Sequence, residues 1–343
     1  MQKDICVVAI GGNAILSQTD QGTIDEQIEN IRIVCTKIVG LIQQGYQVIV
    51  THGNGPQVGQ TLLRHKLSAN IVSEGTLDAC GAETQGLLGY LIQQVLRNEL
   101  DKAGISLDVA AIVTQVLVDK KDEAFQKPTK PIGPFYSKDE AENIVRKYDR
   151  KIVEDSGRGY RMVVPSPLPV DIIEKNTIRS LLKSGNVVVA AGGGGIPVVK
   201  QDNDLVGIEA VIDKDAASSL LARMVGADYL LLLTGVEKVC INYRQPNESQ
   251  LDFLPVRQAE KYLAEGQFPE GSMAPKIRAA IEFVKYGGTK AVITTLNNIC
   301  AALQGETGTA IGVGDQPPVA GYSTGAIVKK NINRPLCDVT IVN

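Results

Sequence analysis

Apolar residues recur along this chain in two rhythms. One is a short unbroken run, as in Ile5–Ile10 (ICVVAI) and Tyr229–Leu233 (YLLLL). The other places Ile24, Ile28, Ile31, Ile38 and Leu41 at intervals of three, four and seven. Unbroken runs of this length predict strands covered on both faces, and the second spacing predicts an amphipathic helix. Thr23 followed by Glu26 predicts a capping box at the start of that helix, and Gly45 its stop. The same alternation predicts a strand at 48–50, a helix over Leu77–Lys102, a strand at 109–118, a helix at 171–183 and a strand at 187–191. Beyond these come a helix at 215–225, the Tyr229–Leu233 strand, a helix at 275–285 and a strand at 291–294. Strands alternating with helices predict a parallel sheet with helices on both faces.

Two stretches break the rhythm. From 119 to 169 the chain is rich in charge and proline and too long for an ordinary loop. It reads either as an inserted lid or as a surface excursion with no catalytic part. Residues 245–254 (QPNESQLDFL) read as a surface connection. From 313 onward the chain reads as an appendage to a finished domain, ending in a strand-like CDVTIVN.

Where the predicted strands end, glycines cluster: Gly11 and Gly12 before Asn13, Gly53 and Gly55 around Asn54, and Gly192 to Gly195. Ligands of open parallel sheets bind beyond the carboxyl ends of the strands. Free N–H groups in glycine-rich turns form concavities that hold anions. One cluster needs no explanation beyond a tight turn; three at equivalent ends of one sheet point to an anionic ligand. There is no GxxxxGK[ST], which excludes a P-loop, and GGGGIP does not fit the dinucleotide fingerprint.

Composition narrows the chemistry. The chain has 343 residues, a net charge of -3, 44 % hydrophobic and 21 % charged residues, so a large core is available and no polyanion-binding face is implied. Nucleic-acid binding is not expected. The N-terminal apolar run is too short to span a membrane, so a cytoplasmic protein with no membrane partner is expected. Six scattered cysteines without a CxxC pair predict reduced thiols. With only His52 and His65, histidine metal sites and Ser-His-Asp triads are nearly excluded. Lysines are placed more suggestively. Lys214 sits between Asp213 and Asp215 where an apolar run meets a helix, Lys276 follows a Gly-Ser turn and Pro275, and Lys127 and Lys130 stand among prolines in the insert. Phosphoryl transfer needs such cations, because its catalysis is mostly positioning and electrostatic stabilisation. An alcohol acceptor would also need a base, whereas a carboxylate acceptor is already ionised and needs only relief from anion–anion repulsion.

In chain order the motifs are VVAIGGNAI, VTHGNGPQVG, PTKPIGPF, GRGYRMVVPSPLP, GGGGIPVV, GIEAVIDKDAAS, LLLLTGVEKVCINY, GSMAPKIRAAIEFV and GETGTAI. Together they resemble the carbamate kinase branch of the amino acid kinase family, over about residues 5 to 312. The resemblance implies a doubly wound αβα sandwich with an eight-stranded, mainly parallel sheet, spanning 1–312. It implies a protruding subdomain at 119–169, a C-terminal extension at 313–343 and a homodimer. It implies the reversible, Mg2+-dependent reaction of ATP and carbamate to ADP and carbamoyl phosphate, run toward ATP in arginine, agmatine or purine-derivative breakdown. Alternatives are a kinase for another small carboxylate and a non-catalytic carbamoyl phosphate or nucleotide sensor.

By motif, the resemblance implies that Gly11, Gly12, Asn13, Gly53, Asn54 and Gly55 line the carbamate and the transferred phosphate. Lys130 would reach that anion from the insert, with Lys127 as a second. Lys214 and Lys276 would stabilise the phosphoryl group, and Asp213 would hold those lysines and magnesium. Thr234, Gly235, Val236, Tyr243, Met273 and Pro275 would contact the nucleotide. The turn at Gly193–Gly195 would lie near the centre of the site. His52 is expected to make a structural hydrogen bond, and Arg158 and Arg161 to meet either an anion or solvent. Glu83 and Met162 depart from the residues familiar at their positions.

Overall fold

The computed structural model describes residues 3–16, 22–148, 151–154 and 159–314. Its centre is an eight-stranded sheet in the order Phe253–Pro255, Thr309–Gly312, Lys290–Thr294, Tyr229–Leu233, Ile5–Ile10, Gln47–His52, Val187–Val189, Val109–Ala111. All neighbouring pairs are parallel except Lys290–Thr294 with Thr309–Gly312.

Alternation along the first strand explains why its run is unbroken. Val7 and Ala9 face one core with Ile212, Leu221, Ile277 and Phe283. Cys6, Val8 and Ile10 face the other with Ile31, Ile38, Leu88 and Leu96. Both faces are dry, so no position can be polar. The helix Ile24–Gln43 begins at the expected box: the Thr23 N–H donates to Glu26 Oε2 (2.9 Å) and the Glu26 N–H to Thr23 Oγ1 (3.2 Å). Gly45, at φ 95°, follows its end.

Three expectations are corrected. The stretch 109–118 is two strands: Val109–Ala111 is the last strand of the main sheet, and Gln115–Val118 belongs to a second, four-stranded sheet. Between them the Thr114 N–H donates to Gln85 Oε1 (2.6 Å) and its hydroxyl to the Ile112 carbonyl, holding the chain off the sheet edge. The helix expected at 171–183 begins only at Lys175, because Pro169–Ile172 pairs as a strand with Gln115–Val118. The segment 245–254 is no mere connection: Ser249–Leu251 pairs with Val239–Ile241, and Phe253–Pro255 is the other edge of the main sheet.

Within 119–169, the strands Lys130–Tyr136, Tyr160–Val164 and Ile152–Glu154 form a third sheet, with the helix Lys138–Tyr148 beside it. It docks on the helix Gly55–Ser68 through two glycines: a Cβ on Gly59 would fall 2.0 Å from Gly133 Cα. Met162 packs half-buried on a small cluster of Val58, Leu62, Ile132 and Val164, so the apolar residue there serves the docking. Glu83 receives a His65 contact of 2.8 Å. Among the described residues, no helix is long and apolar enough to cross a membrane. The five cysteines described, Cys6, Cys35, Cys80, Cys240 and Cys300, are free. Arg158 and the strand-like end of the chain lie outside the described residues.

Candidate active site

Ile5–Ile10 pairs on one side with Gln47–His52 and on the other with Tyr229–Leu233, so the chain reverses its direction of travel across the sheet at this strand. Crevices open at such a reversal, beyond the carboxyl ends of the strands. Residues leaving these three strands are Gly11, Gly53 and Thr234. The parallel register, Ile10 opposite His52, brings the first two turns together. A Cβ on Gly53 would fall 3.0 Å from the Gly12 nitrogen and 3.1 Å from Lys214 Cδ. Gly53 is therefore glycine because Gly12 and the Lys214 stem press on it. Gly11 is different: at φ -66° it needs no special backbone, and its nearest neighbour to a Cβ would be the Leu233 oxygen at 3.8 Å. Gly12 and Gly55 also have ordinary room. Asn13 lies in the short turn Gly12–Ala14; its side chain is outside the described residues.

The four-glycine turn has another cause. Gly192, Gly193, Gly194 and Gly195 are all buried, and a Cβ on each would strike protein: His52 Nε2 at 2.3 Å, the Asn54 amide at 2.3 Å, the Ile212 oxygen at 2.3 Å and Val116 Cγ2 at 2.2 Å, in that order. The last three have positive φ, and Ala191 before them has φ 49°. This turn is a packed floor under Asn54, not an open cradle. Asn54 is fixed further by donating to Thr84 Oγ1 (2.8 Å).

Opposite the glycines stands the helix Lys214–Val225. Asp213 caps it, accepting from the N–H groups of Asp215 (2.9 Å) and Ala216 (3.3 Å). Ser218 ties its first turn down, donating to the Lys214 carbonyl and sharing a 2.6 Å hydrogen bond with Thr51. The lysines then sort themselves. Lys214 Nζ lies 2.5 Å from Asp215 Oδ1, and Lys276 Nζ, arriving on the helix Met273–Lys285, lies 2.8 Å from Asp215 Oδ2. Lys130, from the insert, makes its ion pair with Asp213 Oδ2. The expectation that Asp213 holds Lys214 and Lys276 is thus corrected. Asp215 holds both, because the first turn of the helix points it inward while Asp213 caps the end. Its place beside Lys214 in the sequence was visible; the face it takes was not.

Burial pushes the Lys214 ammonium down to about 8, with Asp215 opposing and Lys276 adding to the shift. Burial would raise the Asp215 carboxyl, but Lys214 and Lys276 outweigh it and hold it well below the usual range. Burial would lower Lys276, but Asp215 outweighs it and the ammonium rises. Asp213 is also lowered: burial opposes, and Lys130 prevails. His52 is driven down to about 4 by burial, and lies 3.2 Å through Nδ1 from the Gly53 oxygen; its Nε2 has no hydrogen-bond partner. A buried neutral ring of this kind is a poor proton carrier near neutrality.

Lys127 does not join the cluster: it is exposed and, among the described residues, makes no ion pair. Thr234 is half-buried, its N–H donating to the Thr294 carbonyl (2.9 Å), while Gly235 is exposed. Val236 is half-buried, Tyr243 is exposed, and Met273 packs into the large core one turn before Lys276, with Pro275 between. Thr294, whose buried Oγ1 lacks a partner, stands beside Thr234; nothing in its sequence context singles it out. Among the described residues no group of three His, Cys, Asp or Glu could hold a metal ion. The site thus gathers three lysines on two carboxylates, an arrangement of charge that suits a phosphoryl group.

These features define a phosphotransferase of the amino acid kinase family, and the chain belongs to it: that family's model matches residues 4–295. Carbamate kinases are among its most similar relatives. It is 47 % identical to the carbamate kinase of Pyrococcus horikoshii over 307 residues, which cover 89 % of this chain and 98 % of the relative. It is 48 % identical to that of Trichomonas vaginalis over 308 residues, with the same coverage. Among solved structures, a carbamate kinase from Giardia lamblia bound to AMP-PNP superposes with a TM-score of 0.83 at 40 % identity, covering 91 % of this chain and 99 % of that one.

Proposed function

We propose that this protein catalyses the reversible transfer of a phosphoryl group between ATP and carbamate, giving ADP and carbamoyl phosphate, and that it runs toward ATP in the breakdown of arginine, agmatine or purine derivatives. The observation that carries this reading is the pairing of Lys214 and Lys276 on one buried carboxylate, Asp215, with the Lys214 stem against Gly53, which in turn abuts Gly12. In the direction of ATP, an oxygen of the ADP β-phosphate attacks the phosphorus of carbamoyl phosphate. The bond from phosphorus to the carbamate oxygen breaks, and carbamate leaves as an anion. No proton need move, which agrees with the neutral, buried His52. Three ammonium groups and the backbone amides of the glycine turns stabilise the charge on the transferred group. Asp215 keeps Lys214 and Lys276 together before the substrates arrive, so little reorganisation is needed.

ATP and ADP are the nucleotide substrates. Magnesium usually binds such sites through substrate phosphates, water and one or two carboxylates. The residues fit that mode and no other, since no three-ligand cluster exists among those described. Asp213 is the carboxylate that would face the ion, which would neutralise phosphate charge. Met273, Pro275 and the Thr234–Val236 turn would border the nucleotide, with Tyr243 at its outer edge. We read 119–169 as a lid over the carbamate end, and the enzyme as cytoplasmic. We also read it as a homodimer through the face carrying exposed Leu87, Tyr90 and Val113, beside the last strand of the sheet. The test is ATP formation from ADP, magnesium and carbamoyl phosphate, with Lys214→Ala as control. Rapid turnover that falls about 10²-fold or more in the variant is expected. Protein that binds ADP but makes no ATP would refute the reading.

A further inference from the structure

The helix that carries Lys214 is tied to the strand that carries the Gly53 turn by two hydroxyl groups. Thr51 and Ser218 are both fully buried. Thr51 is on the strand Gln47–His52, two residues before Gly53, and Ser218 is on the helix Lys214–Val225, one turn after Lys214. Their oxygens lie 2.6 Å apart, and Ser218 Oγ lies 2.6 Å from the Lys214 carbonyl oxygen. The directions of these bonds follow from the groups. A carbonyl only accepts, so the Ser218 proton goes to Lys214. The Ser218 oxygen is then left to accept, and Thr51 donates to it. A serine hydroxyl returned to the carbonyl four residues back is common in helices by itself. The bond from Thr51, 167 residues away in the chain, is what makes it a tie. Strand alternation points Thr51 to the same face as Ile49, which packs in the large core with Ala217 and Leu221. Valine has the same shape and would fill that place, so the hydroxyl has a use other than packing. Beyond the tie, a Cβ on Gly53 would fall 3.1 Å from Lys214 Cδ. Strand and helix thus meet at two points, one of packing and one of directional hydrogen bonding. Two points fix an angle where one leaves a hinge. Ser219 offers a contrast. It is also buried and donates to the Ala279 carbonyl (2.8 Å) on the helix Met273–Lys285. That helix is already joined to Lys214–Val225 by Lys276 on Asp215.

We propose that Thr51 and Ser218 are positioning residues for phosphoryl transfer, their relay setting how the Lys214 side chain lies against the Gly53 turn. This deepens the functional reading above and rests on it. Both residues act through Lys214 rather than on the substrate. Charge on a transferred phosphoryl group is stabilised by cations held in place beforehand, and a displacement of about 1 Å can cost about 10²-fold in rate. Asp215 fixes the ammonium relative to its own helix. The relay fixes that helix relative to the glycine turn. Without the relay, Lys214 and Lys276 would stay together on Asp215 but shift as a unit.

The test uses the full chain. Ser218→Ala, Thr51→Val, the double variant and Ser219→Ala are compared with the unaltered enzyme in ATP formation from ADP, magnesium and carbamoyl phosphate, and in denaturant unfolding. In Ser218→Ala and Thr51→Val, kcat should fall about 10- to 100-fold while KM for carbamoyl phosphate stays within about threefold, the mark of an interaction expressed in the transition state. The double variant should lose no more than about twice the larger single loss, because both changes break one tie. Thr51→Ser keeps the hydroxyl and gives up the methyl, and should return kcat to within about threefold of the parent. Ser219→Ala removes a buried hydroxyl bond of the same kind and should lower the unfolding midpoint by a similar amount, with kcat within about twofold of the parent. An unchanged kcat in Thr51→Val, losses that multiply in the double variant, no recovery in Thr51→Ser, or an equal loss of kcat in Ser219→Ala would each overturn the assignment. Should Ser218→Ala not fold, the two Thr51 variants decide alone. Failure of the unaltered enzyme to form ATP would instead remove the functional reading itself.

Discussion

Two glycine-rich regions that look alike in the sequence differ in what makes them glycine. At Gly192–Gly195 every missing side chain is accounted for by protein: His52, Asn54, Ile212 and Val116 occupy the places where Cβ atoms would go. At Gly11 no protein atom does so, and the backbone there is unstrained. Gly53 stands between, pressed by Gly12 and by the Lys214 stem. A glycine run after a strand therefore signals close approach but does not say of what. In the first region the visitor is the rest of the fold. In the second, the Lys214 stem lies against Gly53 and the space at Gly11 is not filled by side chains; the proposed visitor there is the substrate.

The sharpest way to break this contrast is Gly194→Ala. The new methyl would meet the Ile212 carbonyl at 2.3 Å with φ at 94°, so a loss of about 3 kcal/mol or more is expected from overpacking and backbone strain together. Denaturant unfolding would read it, and an undisturbed midpoint would show that the floor can yield. Gly53→Ala should split its effect. Gly12 and Lys214 must give by a few tenths of an ångström, at about 1 kcal/mol of stability. Displacing the lysine from the phosphoryl group should cost about 10²-fold in kcat. Gly11→Ala should leave the unfolding midpoint within about 0.5 kcal/mol, as for a site away from packing. Its KM for carbamoyl phosphate should rise roughly tenfold, the cost of one crowded contact near 1.4 kcal/mol. Equal KM values for Gly11→Ala and the parent would mean that the open side of the comparison is not occupied by substrate.

The smallest effect is in pH. Lys214 titrates at about 8 in the free protein because burial disfavours its charge. Above that pH the free enzyme loses the ammonium, so kcat/KM should decline through about pH 8. Bound anions favour the charged form, so kcat should hold to higher pH. Parallel profiles for the two constants would contradict this. Asp215 shifts the opposite way: its lowered carboxyl contributes stability that is complete above its ordinary value of 3.8 and is lost as pH falls through its value in the folded protein.

What could be read in the sequence followed from local rules. Ile5–Ile10 is apolar because both its faces are covered, and Thr23 with Glu26 forms its box within four residues. The failures are long-range. The break in 109–118 depends on Gln85, some thirty residues earlier, taking the Thr114 N–H. Phe253–Pro255 spans three residues, too few to show a period, and is a strand only because Thr309–Gly312 lies beside it. In the site, the lysines were legible because glycine, proline and aspartate neighbours marked them. Which carboxylate served which lysine was not, since Asp213 and Asp215 differ only in where the first helical turn directs them. Lys127 shared its neighbours with Lys130 and yet faces solvent. Met162, which departs from the residue familiar at its position, is part of the seam on which the insert sits.

The pairing of Lys130 with Asp213 has a further consequence, in counter-ions. Lys130, Lys214 and Lys276 share two carboxylates, so these five groups together carry a formal surplus of one positive charge. An anion entering from solution meets cations that already have partners, and it must displace Asp213 from Lys130 before it gains a full contact. Small ambient anions such as chloride gain little from that exchange. A ligand bearing a phosphoryl group can complete it, because it brings enough charge to replace the carboxylate it dislodges.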